Sequence, residues 1–396
     1  MPAFAFRHVK DLYPVFWSKA REVTEAMTAA IQKPDEPNGK PDEPNEKPDA
    51  SASASKPTTV LEIGNWASRV TLDIIGVAGM GHDFHAIANP RSELITTYGK
   101  IFSPSKIARI MQILGIFIPI QLLRLIPIKR NQEIEEASQT IKRICRELIQ
   151  QKRQKTEGEK GGRRTDTDIL AVALESGGFS DDDLVNQLMT FLAAGHETTA
   201  SALTWAVYLL CKHPDAQQKL REEIRNNLPS VGDPDTTVSA SQVDNLPYLN
   251  AVCNETLRVI PSVPLSMRMA AHATSILYHP IPAGTMVILS PWAVNHSTAL
   301  WGPDAHNFNP ERWIGPGRAN TGGAESNYAF MTFLHGPRSC IGQSFAKAEF
   351  ACLLAGWVGR FEMEFEDPGF ELVIQGGITA RPKGGLRVRL KAVEGW

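Results

Sequence analysis

From Asp11 to Ile31 the apolar and polar positions follow a helical repeat, and the pattern predicts an amphipathic helix. The pattern stops between Lys33 and Thr59. Lys-Pro-Asp-Glu-Pro-Asn occurs at 33–38 and again at 40–45, followed by Lys47-Pro48-Asp49 and the run Ser51-Ala52-Ser53-Ala54-Ser55. Proline removes helix donors, and so little apolar surface cannot offset the entropy of ordering, so 33–59 is expected to be a disordered insertion. From Leu61 helical spacing dominates. Gly64 to Val77 reads as a short apolar helix, and Arg91 to Leu114 and Lys129 to Lys155 as helices flanking an apolar stretch; Gly158 to Arg164 reads as a charged loop. Ser180 followed by Asp181-Asp182-Asp183 is an N-cap with acids that complement the helix dipole, and it predicts a long helix to about His213. Pro214 stands in the first-turn position of the next helix, and Pro247 to Ile260 forms another. Pro261 to Leu289 is broken by prolines and rich in valine and isoleucine, which predicts short strands. Ile341 to Phe361 is the last expected helix, with strands at Val373-Ile374 and from Leu386 to Leu390. The pattern as a whole predicts a mainly α fold with small β-sheets toward its C-terminal half.

Composition narrows this picture. The 396 residues are 42% hydrophobic and 21% charged, enough for one large core or a few smaller ones. A net charge of −2 argues against a general nucleic-acid binder. Cys145, Cys211, Cys253, Cys340 and Cys352 are scattered and odd in number, as expected of reduced thiols facing the cytosol. Met1 to Arg7 has no long apolar core and no small-residue cleavage site, so it does not read as a signal peptide. The most apolar stretch, Ile107 to Ile128, is interrupted by Arg109, Gln112, Pro119, Arg124 and Pro127. A spanning helix needs roughly 20 mostly apolar residues, so a buried helix pair, or a surface dipping into a membrane face, is expected there.

Three constellations carry candidate chemistry. In Phe333-Leu334-His335-Gly336-Pro337-Arg338-Ser339-Cys340-Ile341-Gly342, a lone cysteine sits at the mouth of a helix. Free amides at a helix N-terminus lower a thiol pKa and favour the thiolate, the form that ligates a metal. Gly336 and Gly342 let a flat cofactor approach the backbone, Phe333 can shield the sulfur, and Arg338 can reach an anionic rim. The second constellation is Ala194-Gly195-His196-Glu197-Thr198-Thr199, inside the long helix, where an acid beside a hydroxyl makes a proton-delivery pair. His196-Glu197 begins like a zinc-protease motif, but position 200 is alanine and the second histidine is missing. The third is Glu255-Thr256-Leu257-Arg258, with a further arginine in Pro310-Glu311-Arg312-Trp313 to share the carboxylate.

Taken together and in this order, these motifs resemble the cytochrome P450 family, and the cysteine stretch fits the family pattern Phe-x-x-Gly-x-Arg-x-Cys-x-Gly at every fixed position. The resemblance is closest to the eukaryotic microsomal type, fungal in flavour. It implies the P450 fold, with Cys340 as thiolate ligand of haem b iron, a ligand that favours O–O cleavage. It implies that Glu197 and Thr198 deliver protons during oxygen activation, that Gly195 forms an oxygen-side groove, and that Arg268 and Arg338, with His335 as a third candidate, meet the haem propionates. Glu255, Arg258 and Arg312 match the buried triad that fixes the cysteine loop. Substrate contacts are expected from Leu188 to Ala194, Val263 to Met267 and Gly377 to Thr379, apolar segments that suit a lipophilic small molecule. The segment from Arg91 to Lys155 matches the family's F and G helices, whose connector around Gly115 to Pro119 dips into the membrane surface. The implied partner is NADPH-cytochrome P450 reductase, at the cytosolic face of the endoplasmic reticulum membrane, and the implied reaction is a monooxygenation in secondary metabolite biosynthesis. Members that rearrange peroxides without external oxygen tend to lack the acid–alcohol pair, so Glu197 and Thr198 argue against that chemistry.

The resemblance begins in mid-domain. The expectation is therefore an N-terminally truncated P450 haem domain over 1–396, without membrane anchor, first sheet, or the helix whose tryptophan and arginine grip a propionate. Such a chain is expected, on its own, to hold haem weakly or to fail to fold, and the alternative to a working enzyme is a non-catalytic remnant.

Overall fold

Ser180 caps the longest helix as its sequence dictates: its hydroxyl accepts the Asp183 amide, and the Asp183 side chain accepts the Ser180 amide in return. This helix, Asp181–Lys212, is 32 residues long. Leu203, Trp205, Ala206, Val207 and Leu210 are fully buried around all its sides, which makes it a central helix and not a surface one. The computed structural model describes residues 4, 6–32, 58–102, 129–158, 168–175, 177–375 and 377–396, with scattered positions between 107 and 128.

Helices Ile63–Ile74, Lys129–Gly158 and Gln343–Arg360 pack against the long helix, and Tyr13–Gln32 packs on the far side of Gln343–Arg360. Trp17, Trp205 and Trp357 lie fully buried among them, each contributing roughly 1.5–3 kcal/mol or more of apolar burial. Distant parts of the chain meet in one antiparallel sheet, in which the strand Arg387–Ala392 is flanked by Thr58–Glu62 and Phe361–Phe365. Among the described residues three two-stranded antiparallel sheets complete the β part: Ser266–Met269 with Met286–Leu289, Thr274–Ile276 with His279–Ile281, and Ile374–Gln375 with Arg381–Pro382. The mainly α architecture with small sheets is the expected one.

Several boundaries differ, each for a local reason. Thr58 and Thr59, expected at the end of the 33–59 insertion, open a strand because Thr58–Glu62 pairs with the C-terminal strand; residues 33–57 lie outside the described residues. The helix expected over Gly64–Val77 starts at Ile63, because the Glu62 carboxylate caps the Gly64 and Asn65 amides at 3.1 and 2.7 Å. It then loosens into a π-helical turn over Ile75–Met80, closed by Gly81 in the left-handed region. The last helix runs over Gln343–Arg360, not Ile341–Phe361; Phe361 is the first, fully buried residue of a strand. The helices Ile169–Glu175, Ala240–Asp244, Pro291–Asn295 and Thr298–Trp301 were not foreseen, being too short to show a period. Most of the apolar stretch 107–128 lies outside the described residues, including 116, 117 and 119 of the connector, as does most of the loop 158–164.

Candidate functional site

The cysteine loop is closed by its own backbone. The Cys340 amide donates to the Phe333 carbonyl at 2.9 Å, and the Ser339 amide donates to Gly336 at 3.0 Å. Leu334 and Gly336 both take left-handed conformations, with φ of 56° and 76°. Glycine does so freely, whereas a leucine held there is strained. Cys340 is exposed, and Ile341 beside it is more than half exposed. The expectation that a helix N-terminus lowers this thiol pKa needs correcting. The helix starts only at Gln343, so a single amide, that of Gly342, pulls the pKa down, and desolvation by the surrounding loop outweighs it and raises the pKa.

What anchors the loop lies behind it. The Glu255 carboxylate accepts two hydrogen bonds from Arg258 at 2.8 Å, one from Arg312 at 2.9 Å, one from the Trp313 indole at 2.9 Å and one from the Asn309 amide at 2.8 Å. Arg258 also donates to the Asn295, Ala305 and Asn307 carbonyls. Asn295 returns an amide hydrogen bond to the Arg258 carbonyl, donates to the Thr332 hydroxyl and accepts the Met331 amide. Thr332 in turn donates to Leu257. An unbroken chain of hydrogen bonds thus runs from the buried triad to the residues that open the cysteine loop. The three residues predicted to associate, Glu255, Arg258 and Arg312, do so.

The second constellation keeps its helix intact. Thr198 and Thr199 donate to the Ala194 and Gly195 carbonyls four residues back, so both hydroxyls are satisfied within the helix. A Cβ on Gly195 would meet the Ile75 side chain at 2.9 Å, so this glycine lets the π-helical turn lie against the long helix. Sequence reasoning expected a groove and missed that packing reason. His196 is buried, bonds the Leu192 carbonyl and stacks edge-on against Tyr98; burial pushes its pKa down to about 4, so it is neutral. Glu197 is buried and pairs with Arg381, and the Thr379 hydroxyl donates to it at 3.1 Å. Arg381 was missed, because the sequence signal for it is only one arginine in a glycine-rich tail. Among the described residues no group of His, Cys, Asp or Glu is arranged to hold a metal ion by itself, which leaves the zinc-protease reading of His196-Glu197 without ligands.

The three segments expected to contact substrate converge on this part of the helix. Ser262 donates to the Thr198 carbonyl at 2.8 Å, and the Ala380 amide donates to Ser262 at 2.9 Å. Ser201 and Trp205 both donate to the Ala380 carbonyl. Not every residue of those segments faces outward. Leu188, Phe191, Leu192 and Thr379 are buried in the core, which corrects their assignment, whereas Ala194, Leu265, Met267 and Ile378 are exposed. Phe4 links this helix to the cysteine loop: its ring packs edge-on against Phe191, and a Cβ on Gly342 would meet it at 4.0 Å.

One buried carboxyl near this region is poorly satisfied. Glu349 is fully buried on the Gln343–Arg360 helix, and neither of its oxygens makes a well-formed hydrogen bond. Burial raises its pKa well above the ordinary carboxylate value, opposed by the nearby Thr199 hydroxyl. A carboxyl whose folded pKa is raised contributes stability that is present below its unfolded pKa, about 4.3, and is lost as pH rises toward the folded value. Glu349→Gln is therefore expected to flatten the fall in unfolding free energy above about pH 4.3, measured by urea titration across pH; an unchanged slope would show that Glu349 does not titrate in the buried state.

The whole chain is 49% identical to the cytochrome P450 monooxygenase sphH of Aspergillus fumigatus, covering 69% of that protein. It is 43% identical over 99% of its length to the cytochrome P450 monooxygenase FUM15 of Gibberella moniliformis, covering 70% of it. The cytochrome P450 family model matches residues 45–386. This chain belongs to the cytochrome P450 family. By family it is an enzyme, of the kind its named relatives represent. Its fold is also that of a crystallised cytochrome P450, CYP102L1, with a TM-score of 0.75 over 99% of this chain and 80% of that one, at 24% identity.

The P450 family implies a haem and a redox partner. The residues fit a haem in three respects. Leu265, Met267, Ile341 and Ile378 are each more than half exposed, large apolar side chains of the kind a bound flat group covers. Arg268 is exposed and bonds only Ser266 and the Met267 carbonyl, and Arg338 is exposed with no carboxylate partner among the described residues, so both have donors to spare for anionic groups. A Cβ at Gly336 would meet nothing within 4 Å, so the loop leaves space at the cysteine's margin. No helix among the described residues is long and apolar enough to cross a membrane.

Proposed function

We propose that this P450 is a haem-thiolate monooxygenase that inserts one oxygen atom from O2 into a lipophilic small molecule of secondary metabolism. The observation that carries the reading is Cys340, exposed on a closed loop that the buried Glu255, Arg258 and Arg312 network anchors. In this reading Cys340 ligates the iron of haem b, Arg268 and Arg338 hold its carboxylates, and Phe333 and Gly342 border the sulfur. Bound there, haem would supply the oxygen activation, for which NADPH would provide two electrons through a reductase and the solvent two protons, the second oxygen atom leaving as water. Thr198 supplies a hydroxyl whose proton becomes available when it turns from the Ala194 carbonyl. Glu197, tied to Arg381 and Thr379, positions that hydroxyl and the helix around Gly195. Leu265, Met267 and Ile378 offer the substrate apolar surface and exclude water. The site would work at the cytosolic face of the endoplasmic reticulum, against the membrane surface from which a lipophilic substrate partitions.

The test is turnover with reductase, NADPH and labelled dioxygen on a panel of lipophilic substrates. One labelled oxygen in the product supports the reading, and product labelled only from water refutes it. In the same assay Thr198→Ala is expected to uncouple NADPH use from product by about tenfold or more, with peroxide released; full coupling would place the proton route elsewhere.

A further inference from the structure

In the sheet formed by Ser266–Met269 and Met286–Leu289, Met267 stands opposite Ile288 and Met269 opposite Met286. Directly opposed residues of an antiparallel ladder share a face, as do residues two apart on one strand. Met267, Met269, Met286 and Ile288 therefore lie on one side of the sheet. Met267 and Met269 are 60% and 67% exposed, whereas Met27, Met80 and Met363 are at most 4% exposed. A single exposed apolar residue needs no explanation, but two methionines on one ladder face, with a third across from them, do. The strand itself does not ask for them. Valine, isoleucine and threonine suit a pleated surface better, and Ile288 shows that a branched residue fits the same face. What methionine adds to the apolar area is a thioether, which is soft, unbranched and oxidisable.

We propose that Met267 and Met269 form a site of reversible oxidation by hydrogen peroxide, where sulfoxide formation turns this face from apolar to polar and loosens its hold on a lipophilic ligand. The thioether sulfur attacks one peroxide oxygen. An S–O bond forms, the O–O bond breaks, and the departing hydroxide takes up a proton and leaves as water. The sulfur gives up an electron pair and the peroxide is reduced. Packing shields the buried methionines, so exposure selects the pair on the sheet. The sulfoxide is polar and is returned to the thioether by methionine sulfoxide reductases, so the change can be undone. Met267 is also one of the side chains that offer a substrate apolar surface, so oxidation strikes the binding face itself. The inference rests on the proposed oxygenase reading for its peroxide, which uncoupled turnover releases, and for its ligand.

The test treats the protein with hydrogen peroxide, follows each methionine by peptide mass spectrometry, and measures binding of the uncharged apolar dye nile red before and after. Met267 and Met269 are expected to gain oxygen about tenfold or more faster than Met27, Met80 and Met363. Nile red affinity should fall about threefold or more, and return when methionine sulfoxide reductases and a thiol reductant are added. The same fall should be missing from Met267→Leu/Met269→Leu, which keeps volume and apolar character without the sulfurs. Cys340, also exposed, is present in both proteins, so any effect of its oxidation appears in both and is not mistaken for that of the methionines. Three results overturn the inference: Met267 and Met269 oxidising no faster than the buried three, nile red affinity that is absent or unmoved by peroxide, or an equal fall in both proteins. The mass-spectrometric comparison is made on the unaltered protein, so it decides even where the double replacement does not fold. Added peroxide and nile red need no turnover, so failure here leaves the labelled-dioxygen test of the oxygenase reading standing, and failure of that test leaves the oxidation pattern to be read on its own.

Discussion

Cys340→Ser is expected to abolish the red-shifted carbonyl band that thiolate-ligated haem gives on reduction, while leaving the folded chain almost as stable as before. The two halves of this expectation have separate physical causes. A serine hydroxyl is not deprotonated near neutrality and does not replace a thiolate on iron, so the spectral loss should be complete. The residue is exposed, and the hydrogen bond that closes its loop comes from its backbone amide, which serine retains, so the stability change should stay within about 0.5 kcal/mol. Cys253 and Cys352 make the opposite control. Both are buried, and burial pushes both thiols well up. Serine at either should cost about 1–3 kcal/mol through a buried hydroxyl and leave the carbonyl band in place. Haem titration with reduced-carbonyl spectra, alongside urea unfolding, separates the two patterns. A band that persists in Cys340→Ser would remove that residue from the iron.

That division was partly legible in the sequence. The glycines and arginine around Cys340 marked it out, whereas Cys253 and Cys352 sit in ordinary helical repeats. The long helix could be read from its Ser180 cap, because a cap is a local signal with a local cause. The pairing of Thr58–Glu62 with the C-terminal strand could not, because its partner lies more than 300 residues away and its own five residues carry no clear alternation. Arg381 stayed hidden for the same reason: only the fold brings it to Glu197 across 184 positions. The thiol pKa direction went astray because it depends on where the helix begins to within two residues, and element ends are what a sequence fixes least well. The buried halves of the proposed substrate segments, Leu188, Phe191 and Leu192, fell to a plain ambiguity, since an apolar residue on a helix lines a pocket or packs a core with the same sequence signature.

Glu255→Ala is expected to cost about 3–5 kcal/mol of folding stability and to loosen haem binding as well. Arg258 is fully buried and Arg312 nearly so, at 0% and 7% side-chain exposure. Without the carboxylate, two guanidiniums remain beside each other in the interior, and the Trp313 indole and Asn309 amide lose their acceptors. The damage should spread along the hydrogen-bonded path, because Arg258 holds Asn295, and Asn295 holds Met331 and Thr332 at the opening of the cysteine loop. A loop less firmly held samples more conformations, so part of any haem affinity goes into ordering it again. Glu255→Gln should fall between, since an amide keeps the shape and one acceptor oxygen but loses the charge. By contrast, Glu362→Gln on the exposed surface breaks only the 3.0 Å pair with Lys391, and it should stay within about 1 kcal/mol. Urea unfolding and haem titration of the three variants decide the matter. A Glu255→Ala cost no larger than that of Glu362→Gln, or a full stability loss with haem affinity per folded molecule unchanged, would show that the triad does not support the cysteine loop.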